Sequence, residues 1–156
     1  RQARKPGPFD KDTSTRSQSG TGEDTLAAVT IPADTLGSDG VLRVTLAMDL
    51  NGTAGVKTVR LKLGGTTILT DAFSAGNNQA VRIDALLFND ASASVQQVEI
   101  LVFNADTGGS NQVFIGRGTA TVDTTFDQDF VVTGTCSDGA DSIDLNFSMI
   151  ELAGTS

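Results

Sequence analysis

The chain has 156 residues, a net charge of −8 and a single cysteine, so it can form one domain with a packed core but no intrachain disulfide. It contains no histidine, tryptophan or tyrosine, which excludes Ser-His-Asp and Cys-His catalytic arrangements and the usual zinc sites. These absences argue against an enzyme.

The first 24 residues differ in composition from the rest of the chain. They hold two prolines and a tract of Ser, Thr and Gly, with Phe9 as the one large apolar side chain. Such a segment buries too little apolar area to offset the entropy of ordering, so we expect residues 1–24 to form an extended arm. A linker without a partner is the alternative interpretation. The domain proper is expected over residues 25–156.

Charge is also divided between the arm and the domain. Residues 1–20 carry a net charge of +3, and residues 21–156 carry −11. The basic residues of the arm are Arg1, Arg4, Lys5, Lys11 and Arg16. A basic arm on an acidic body favours contact with an acidic neighbouring protein, whereas the body itself repels nucleic acid phosphates.

The clearest pattern in the domain lies between Gly37 and Asp71, where apolar side chains occupy every second position of two runs. A period of two predicts strands with one buried and one solvated face. We expect three consecutive antiparallel strands here, the last two joined by a tight turn at Gly64–Gly65.

The same alternation continues along the chain, with turns between the runs and no helical periodicity. The predicted strands cover residues 25–31, 41–50, 56–63, 66–73, 80–88, 95–103, 113–122, 130–133 and 143–149. This pattern predicts an all-β antiparallel sandwich of the jelly-roll type, with about eight or nine strands and an extended N-terminal arm.

Two of these strands carry large apolar side chains on both faces. Leu86 and Phe88 lie opposite the main apolar face of one strand, and Leu101 and Phe103 do so in the next. A strand that is apolar on both faces is normally covered on both, by a second sheet or by a partner subunit. The sequence therefore predicts an oligomer interface at these four residues.

Aspartates cluster at two predicted turns, Asp123, Asp127 and Asp129 at one and Asp138, Asp141 and Asp144 at the other. Calcium binds several carboxylate oxygens, but neither cluster has the spacing of an EF-hand. Aspartate at a turn usually accepts hydrogen bonds from nearby backbone groups. We therefore favour turn capping, and predict no metal site and no cofactor.

Three basic residues, Lys57, Arg60 and Lys62, follow one another on a predicted strand, and Arg43 is expected on the same polar face of the neighbouring strand. Because no aromatic residues are interleaved with them, we interpret them as a solvated or ion-paired face and predict no nucleic acid binding. Cys136 is interpreted as a small, partly buried hydrophobe. No apolar run approaches the length of a membrane span, and no membrane partner is expected.

Two stretches resemble a sequence common in structural proteins of tailed bacteriophages: LAAVTIPADTLGSDGVLRVT and, after it, VKTVRLKLGGTTIL. The closing DGADSIDLNFSMIEL is similar to the final strand of their jelly-roll domains. The likeness covers most of residues 25–152. It implies a non-enzymatic virion protein, on the capsid surface or the tail, that assembles as a homotrimer, and it transfers no site residues.

Within that resemblance we expect a capsid decoration (cement) or head-fibre protein that binds the major capsid protein through its arm, because an arm ordered on binding buries a large surface. The arm contacts expected are Arg1, Arg4, Lys5, Phe9, Lys11 and Arg16. The alternative is a tail-fibre or tailspike domain that recognises a host-surface glycan through Asn77, Asn78 and residues 104–111. Glycan hydrolysis ranks last, because no carboxylate pair is singled out and no catalytic residue is predicted.

Overall fold

The protein is an all-β sandwich in the computed structural model, which describes residues 8–74, 79–105 and 111–154. Eleven strands account for most of these residues: β1 (Pro8–Asp12), β2 (Arg16–Ser19), β3 (Asp24–Ile31), β4 (Val41–Asn51), β5 (Val56–Leu63), β6 (Thr66–Ser74), β7 (Gln79–Asn89), β8 (Gln96–Ala105), β9 (Asn111–Ala120), β10 (Gln128–Cys136) and β11 (Ser142–Gly154). Within these ranges no helix is long and apolar enough to cross a membrane.

Two antiparallel sheets form the sandwich. Seven strands make the larger sheet, in the order β1-β11-β4-β7-β8-β9, with β2 also paired to β11. Four strands make the smaller sheet, in the order β3-β10-β5-β6. The predicted jelly-roll sandwich is thus confirmed, and β3 to β11 correspond to the nine strands that the alternation predicted.

The core lies between the sheets and is built by the alternation. In β4, for example, Leu42, Val44 and Leu46 are fully buried, whereas Arg43 and Thr45 lie on the outer side of the sheet. Facing strands contribute Leu61 of β5 and other apolar side chains from each sheet. Burial of this apolar surface is the main force that holds the two layers together.

The predicted meander of three consecutive strands is only partly right. β5 and β6 do form a hairpin through Gly64–Gly65, and both glycines have positive φ (53° and 77°). β4, however, pairs with β7 and β11, and the short segment after it crosses to the other sheet. Alternation shows that each strand has one buried face. Two such strands can lie side by side in one sheet or face each other across the core, and the alternation is the same in both cases.

The N-terminal segment is part of the sandwich from residue 8, which corrects the expectation of a free arm over residues 1–24. β1 and β2 both pair with β11, along different parts of its length. Gln18 is fully buried in β2, where its Nε2 donates to Gly20 O (2.7 Å) and its Oε1 accepts from Cys136 Sγ (2.9 Å). Backbone hydrogen bonds to β11 order this segment. The expectation of an extended arm rested on the scarcity of apolar residues, and composition gives no information about such backbone hydrogen bonds.

Candidate functional site

The outward side of the larger sheet carries an ordered array of side chains, which we call the outer face. Strand register places its residues in rows that run across β11, β4, β7, β8 and β9. Row 1 is Glu151, Arg43, Leu86, Glu99 and Arg117; row 2 is Met149, Thr45, Asp84, Leu101 and Ile115; row 3 is Phe147, Ala47, Arg82, Phe103 and Val113.

The outer face exposes large apolar side chains. Leu86 and Phe103 are each 39% exposed, Val113 is 60% exposed and Ile115 is 66% exposed. Single exposed apolar residues are common on protein surfaces, but a contiguous group of them usually marks an interaction site. The outer face is therefore the best candidate for a functional surface in the described part of the chain.

All four residues predicted for an oligomer interface lie on this side of the sheet. Leu86 and Phe103 are exposed, and Phe88 and Leu101 are partly buried. Phe88 lies just outside row 1, opposite Val41 and Gln97. The structure shows where these residues are, and their role as an interface stays a prediction.

Val113 and Ile115 are the most exposed apolar residues of the outer face, and the sequence analysis did not single them out. The reason lies on the inner side of β9, which carries Gly116 and Gly118. A β-carbon added at Gly118 would meet the carbonyl oxygen of Ile68 in β6, and one at Gly116 would lie 2.9 Å from Ile100 Cγ1. Glycine thus fills two inner positions of the strand and Phe114 packs inward against the core, whereas Val113 and Ile115 take the alternate positions and point outward.

The charged groups of the outer face are paired within it. Arg82 Nε lies 3.0 Å from Asp84 Oδ2, Arg43 Nη1 lies 3.5 Å from Glu151 Oε1, and Arg117 Nη2 lies 3.4 Å from Glu99 Oε1. Thr45 Oγ1 donates to Asp84 Oδ1 at 3.1 Å. Within rows 1 to 3, three cations thus balance three carboxylates, and these rows combine apolar surface with polar groups that already have partners.

Two shallow grooves follow the outer face. One, of about 570 Å³, is lined by side chains of rows 1 and 2, including Leu86, Leu101 and Ile115. A second, of about 430 Å³, includes Phe103 and Val113 and shares Arg82 with the first. Surfaces of this kind bury apolar parts of a partner and offer hydrogen-bonding groups at their borders.

The predicted basic face on β5 is confirmed as ion-paired for two of its residues. Lys62 Nζ lies 2.7 Å from Glu23 Oε1, and Arg60 Nη1 lies 3.8 Å from the same oxygen. Hydrogen bonds from Lys62 and from Thr133 lower the pKa of Glu23 below its usual value. Arg43 belongs to the other sheet, so its predicted place beside these residues is wrong.

Lys57 does not lie on that face but is completely buried. Its Nζ lies 3.2 Å from Asp141 Oδ2 and also donates to the carbonyl oxygen of Thr53. Burial alone would raise the pKa of Asp141, but hydrogen bonds from Thr53 and the charge of Lys57 outweigh it and lower that pKa. This pair ties the β4–β5 crossing to the turn before β11.

Asp123 and Asp138 accept hydrogen bonds within their own turns, as predicted, whereas Asp127 and Asp144 accept from residues that are distant in the chain. Asp123 Oδ1 accepts from Thr125 Oγ1 (2.6 Å), and these bonds lower the pKa of Asp123. Asp127 accepts from Ala33 N (2.7 Å), and Asp138 accepts from Ala140 N (2.9 Å). In the part of the chain that the structure describes, no three carboxylate or thiol groups are placed to hold one metal ion.

The predicted arm contacts are only partly described. Lys11 lies in β1 opposite Met149, and Arg16 begins β2, where its Nη2 lies 3.2 Å from Asp12 Oδ2. Six other predicted contacts lie outside the residues whose side chains the structure describes: Arg1, Arg4, Lys5, Phe9, Asn77 and Asn78. The predicted glycan loop is likewise described only at its ends, within β8 and β9.

No protein-family model and no curated protein matches the chain. Among solved structures, it is similar to the CBM36-1 domain of a multidomain xylanase from the hindgut metagenome of Trinervitermes trinervoides, with 14% identity, 97% of this chain and 90% of that chain covered, and a TM-score of 0.45. It is also similar to peanut lectin (9% identity, 97% and 100% covered, TM-score 0.49) and to the seed lectin of Lotus tetragonolobus (8%, 95% and 97%, TM-score 0.44).

At such identities and TM-scores, neither an architecture nor a binding site transfers from these structures to the chain. The strand pairing of the chain itself defines a jelly-roll sandwich, and one face of its larger sheet combines exposed apolar side chains with ion pairs.

Proposed function

We propose that the protein is a non-enzymatic structural component of a tailed-phage virion that acts through protein–protein assembly. The observation that supports it most is the outer face, where exposed apolar side chains lie among ion pairs that are already satisfied. Such a surface gains free energy when another protein covers it, because apolar area leaves water and few polar groups lose their partners. The likeness of residues 25–152 to phage structural proteins directs the proposal to a virion.

Within this role we propose a capsid decoration or head-fibre protein that contacts the major capsid protein through its N-terminal residues. Arg1, Arg4 and Lys5 directly precede β1, which is an edge strand of the larger sheet. A cluster of cations at the end of an acidic body complements an acidic capsid surface. Assembly of several copies, which the same resemblance implies as a homotrimer, is part of this proposal.

Co-sedimentation with empty phage capsids that lack decoration proteins tests the proposal. A chain that begins at Thr25 would lose β1, β2 and the buried Gln18. The informative truncation therefore begins at Pro8 and removes only residues 1–7, which include the basic Arg1, Arg4 and Lys5. We expect saturable binding by the full chain and its loss in the truncated chain.

The matched control replaces Arg60 and Lys62 with serine, which removes two cations from the smaller sheet and leaves the N-terminus intact. This variant should bind capsids like the unmodified chain. Equal binding by the full chain and the Pro8 truncation would contradict anchoring by the N-terminal residues. Absence of binding by both would contradict a capsid role.

Glycan recognition by a tail-fibre or tailspike domain is the second candidate, and the larger groove favours it. Hydrogen-bonding groups of Thr45, Asp84 and Glu99 border apolar side chains there, a combination that suits a sugar. Calorimetric titration with a panel of bacterial surface glycans is the test. Glu99→Gln should weaken binding, whereas Glu23→Gln on the opposite sheet should leave it unchanged.

A further inference from the structure

Row 1 of the outer face has an unusual charge order. Read from β11 to β9, it is negative, positive, apolar, negative and positive: Glu151, Arg43, Leu86, Glu99 and Arg117. Read backwards, the same row is positive, negative, apolar, positive and negative. Every charge is therefore opposite in sign to the charge at the equivalent position of the reversed row, with Leu86 at the centre.

We propose that two copies of the chain pack their outer faces together about a two-fold axis that runs parallel to β7 and passes over Leu86. Rotation about this axis reverses each row and keeps its level along the strands. Glu151 of one copy then lies over Arg117 of the second copy, and Arg43 lies over Glu99. A two-fold interface requires such self-complementarity, because the same surface serves both partners.

Rows 2 and 3 fit the same arrangement through their apolar ends. Met149 faces Ile115 of the second copy, which is 66% exposed, and Phe147 faces Val113, which is 60% exposed. On the axis, Asp84 lies over Asp84 and Arg82 over Arg82 of the second copy, and the ion pair of Arg82 with Asp84 within each sheet (Nε to Oδ2, 3.0 Å) offsets these two like-charge contacts. The two most exposed apolar residues of the outer face are thus covered by apolar partners.

Two-fold axes that run across the strands do not place opposite charges of row 1 over one another. An axis that runs along row 1, across the strands, keeps the order of the row and places Glu151 over Glu151 and Arg43 over Arg43. An axis along row 2 places the charges of row 1 over the apolar ends of row 3. The axis parallel to the strands places all four charges of row 1 over opposite charges and superposes like charges only at Arg82 and Asp84, whereas the axis along row 1 superposes like charges at all four charged positions of that row. Because like charges at an interface oppose binding, the axis parallel to the strands is favoured.

This inference deepens the proposed assembly role and rests on one part of it, that the outer face is a protein interface. It names a second copy as the occupant and a dimer as the product, in place of the homotrimer that the resemblance implies. Capsid binding through the N-terminal residues does not depend on it.

Sedimentation velocity on the full chain, over a range of concentrations, tests the dimer through charge reversal. Arg117→Glu alone and Glu151→Arg alone each place like charges over one another twice in a homodimer, so each should raise the dissociation constant at least about tenfold. In an equimolar mixture of the two variants, every facing pair is of opposite charge. The mixture should therefore form dimers with a lower dissociation constant than either variant alone.

The double variant in one chain separates contacts between copies from contacts within a copy. Arg117→Glu with Glu151→Arg puts like charges beside Arg43 and beside Glu99 in the same sheet, yet restores opposite charges across the two-fold axis. Recovered dimerisation supports the proposal, and a further loss overturns it. Thr70→Glu, on the smaller sheet, should leave the dimer unchanged, and circular dichroism checks that each variant is folded.

The proposal is overturned if the unmodified chain is a monomer at high micromolar concentration, if it is a trimer, or if the mixed variants do not associate. Leu86→Glu, which places two carboxylates on the axis, should also abolish the dimer. Capsid co-sedimentation of this variant separates the two proposals. Binding that persists without the dimer supports anchoring by the N-terminal residues, and loss of binding shows that capsid binding depends on the outer face.

Discussion

At the scale of single residues, the buried pair of Lys57 and Asp141 is the most consequential feature. The pair lies where the chain crosses from one sheet to the other, next to Thr53. A buried charge is tolerated only when its partner and its hydrogen bonds are present. The pair therefore specifies how the two loops meet, rather than simply adding stability.

Replacing Lys57 with methionine should lower the free energy of unfolding by about 3 to 5 kcal/mol, because it leaves a buried carboxylate without its cation. Urea denaturation followed by circular dichroism measures this change. Lys62→Met is the matched control, since Lys62 lies on the same strand but is partly exposed and pairs with Glu23. Its cost should be below about 1 kcal/mol, and equal costs for the two variants would contradict this account.

At the scale of elements, the β5–β6 hairpin shows how one turn is held by its surroundings. Gly64 donates its N–H to Asp129 O at 2.9 Å, so the turn also contacts the neighbouring strand β10. A β-carbon at Gly64 would meet Gln128 and lie 2.9 Å from Val122 Cγ1, whereas one at Gly65 would meet nothing within 4 Å. Both glycines have positive φ, but only Gly64 is also confined.

Alanine at Gly65 should cost about 1 kcal/mol of stability, the usual penalty for a left-handed backbone with a β-carbon. Alanine at Gly64 should cost about 2 to 3 kcal/mol, because steric overlap adds to the same penalty. Chemical denaturation of both variants provides the comparison. Gly65→Asn should be close to neutral, since asparagine tolerates this conformation. A larger loss at Gly65 than at Gly64 would refute the steric explanation.

At the scale of the whole molecule, the dependence of stability on pH follows from its carboxylates. The backbone hydrogen bond from Ser14 lowers the pKa of Asp12, and hydrogen bonds also lower the pKa of Glu23, Asp123 and Asp141. Groups with a lowered folded-state pKa contribute stability above their unfolded pKa of about 4, and this contribution is lost as the pH falls through the folded value.

We therefore expect the urea midpoint to be nearly constant from neutral pH to about pH 5 and to fall steadily below about pH 4. Titrations of stability at several pH values measure this directly. A midpoint that rises on acidification from pH 5 to pH 3 would contradict the assigned carboxylate bonds.

Asp71 should behave in the opposite way. It lies on β6 opposite the buried Val59, and burial raises its pKa. A raised folded-state pKa means that the ionised form costs stability above the unfolded pKa, and protonation relieves this cost. Asp71→Asn should therefore stabilise the protein at pH 7, with little effect at pH 3. Destabilisation at pH 7 would show that the carboxylate has a favourable role there.

Several parts of the fold could be predicted from short stretches of the sequence. Alternation of apolar and polar residues located the nine strands of the domain, and the Gly64–Gly65 pair located one hairpin. The outward position of Leu86, Phe88, Leu101 and Phe103 was also predictable, because two adjacent apolar side chains of one strand point to opposite faces. Asp123 and Asp138 were recognisable as hydrogen-bond acceptors of their turns, because their donors lie two residues further along the chain.

Only the tertiary structure decided which strands are neighbours in a sheet and which side chains pack against each sheet face. Strand pairing depends on backbone hydrogen bonds that carry no residue signal, so the place of β4 beside β7 and of β1 and β2 beside β11 was not visible in composition. The burial of Lys57 depends on Asp141, far away in the chain, and the rows of the outer face exist only once register is known. The sequence alone determined which side chains are apolar and gain free energy from burial. The packing of the two sheets determined where each of them is buried.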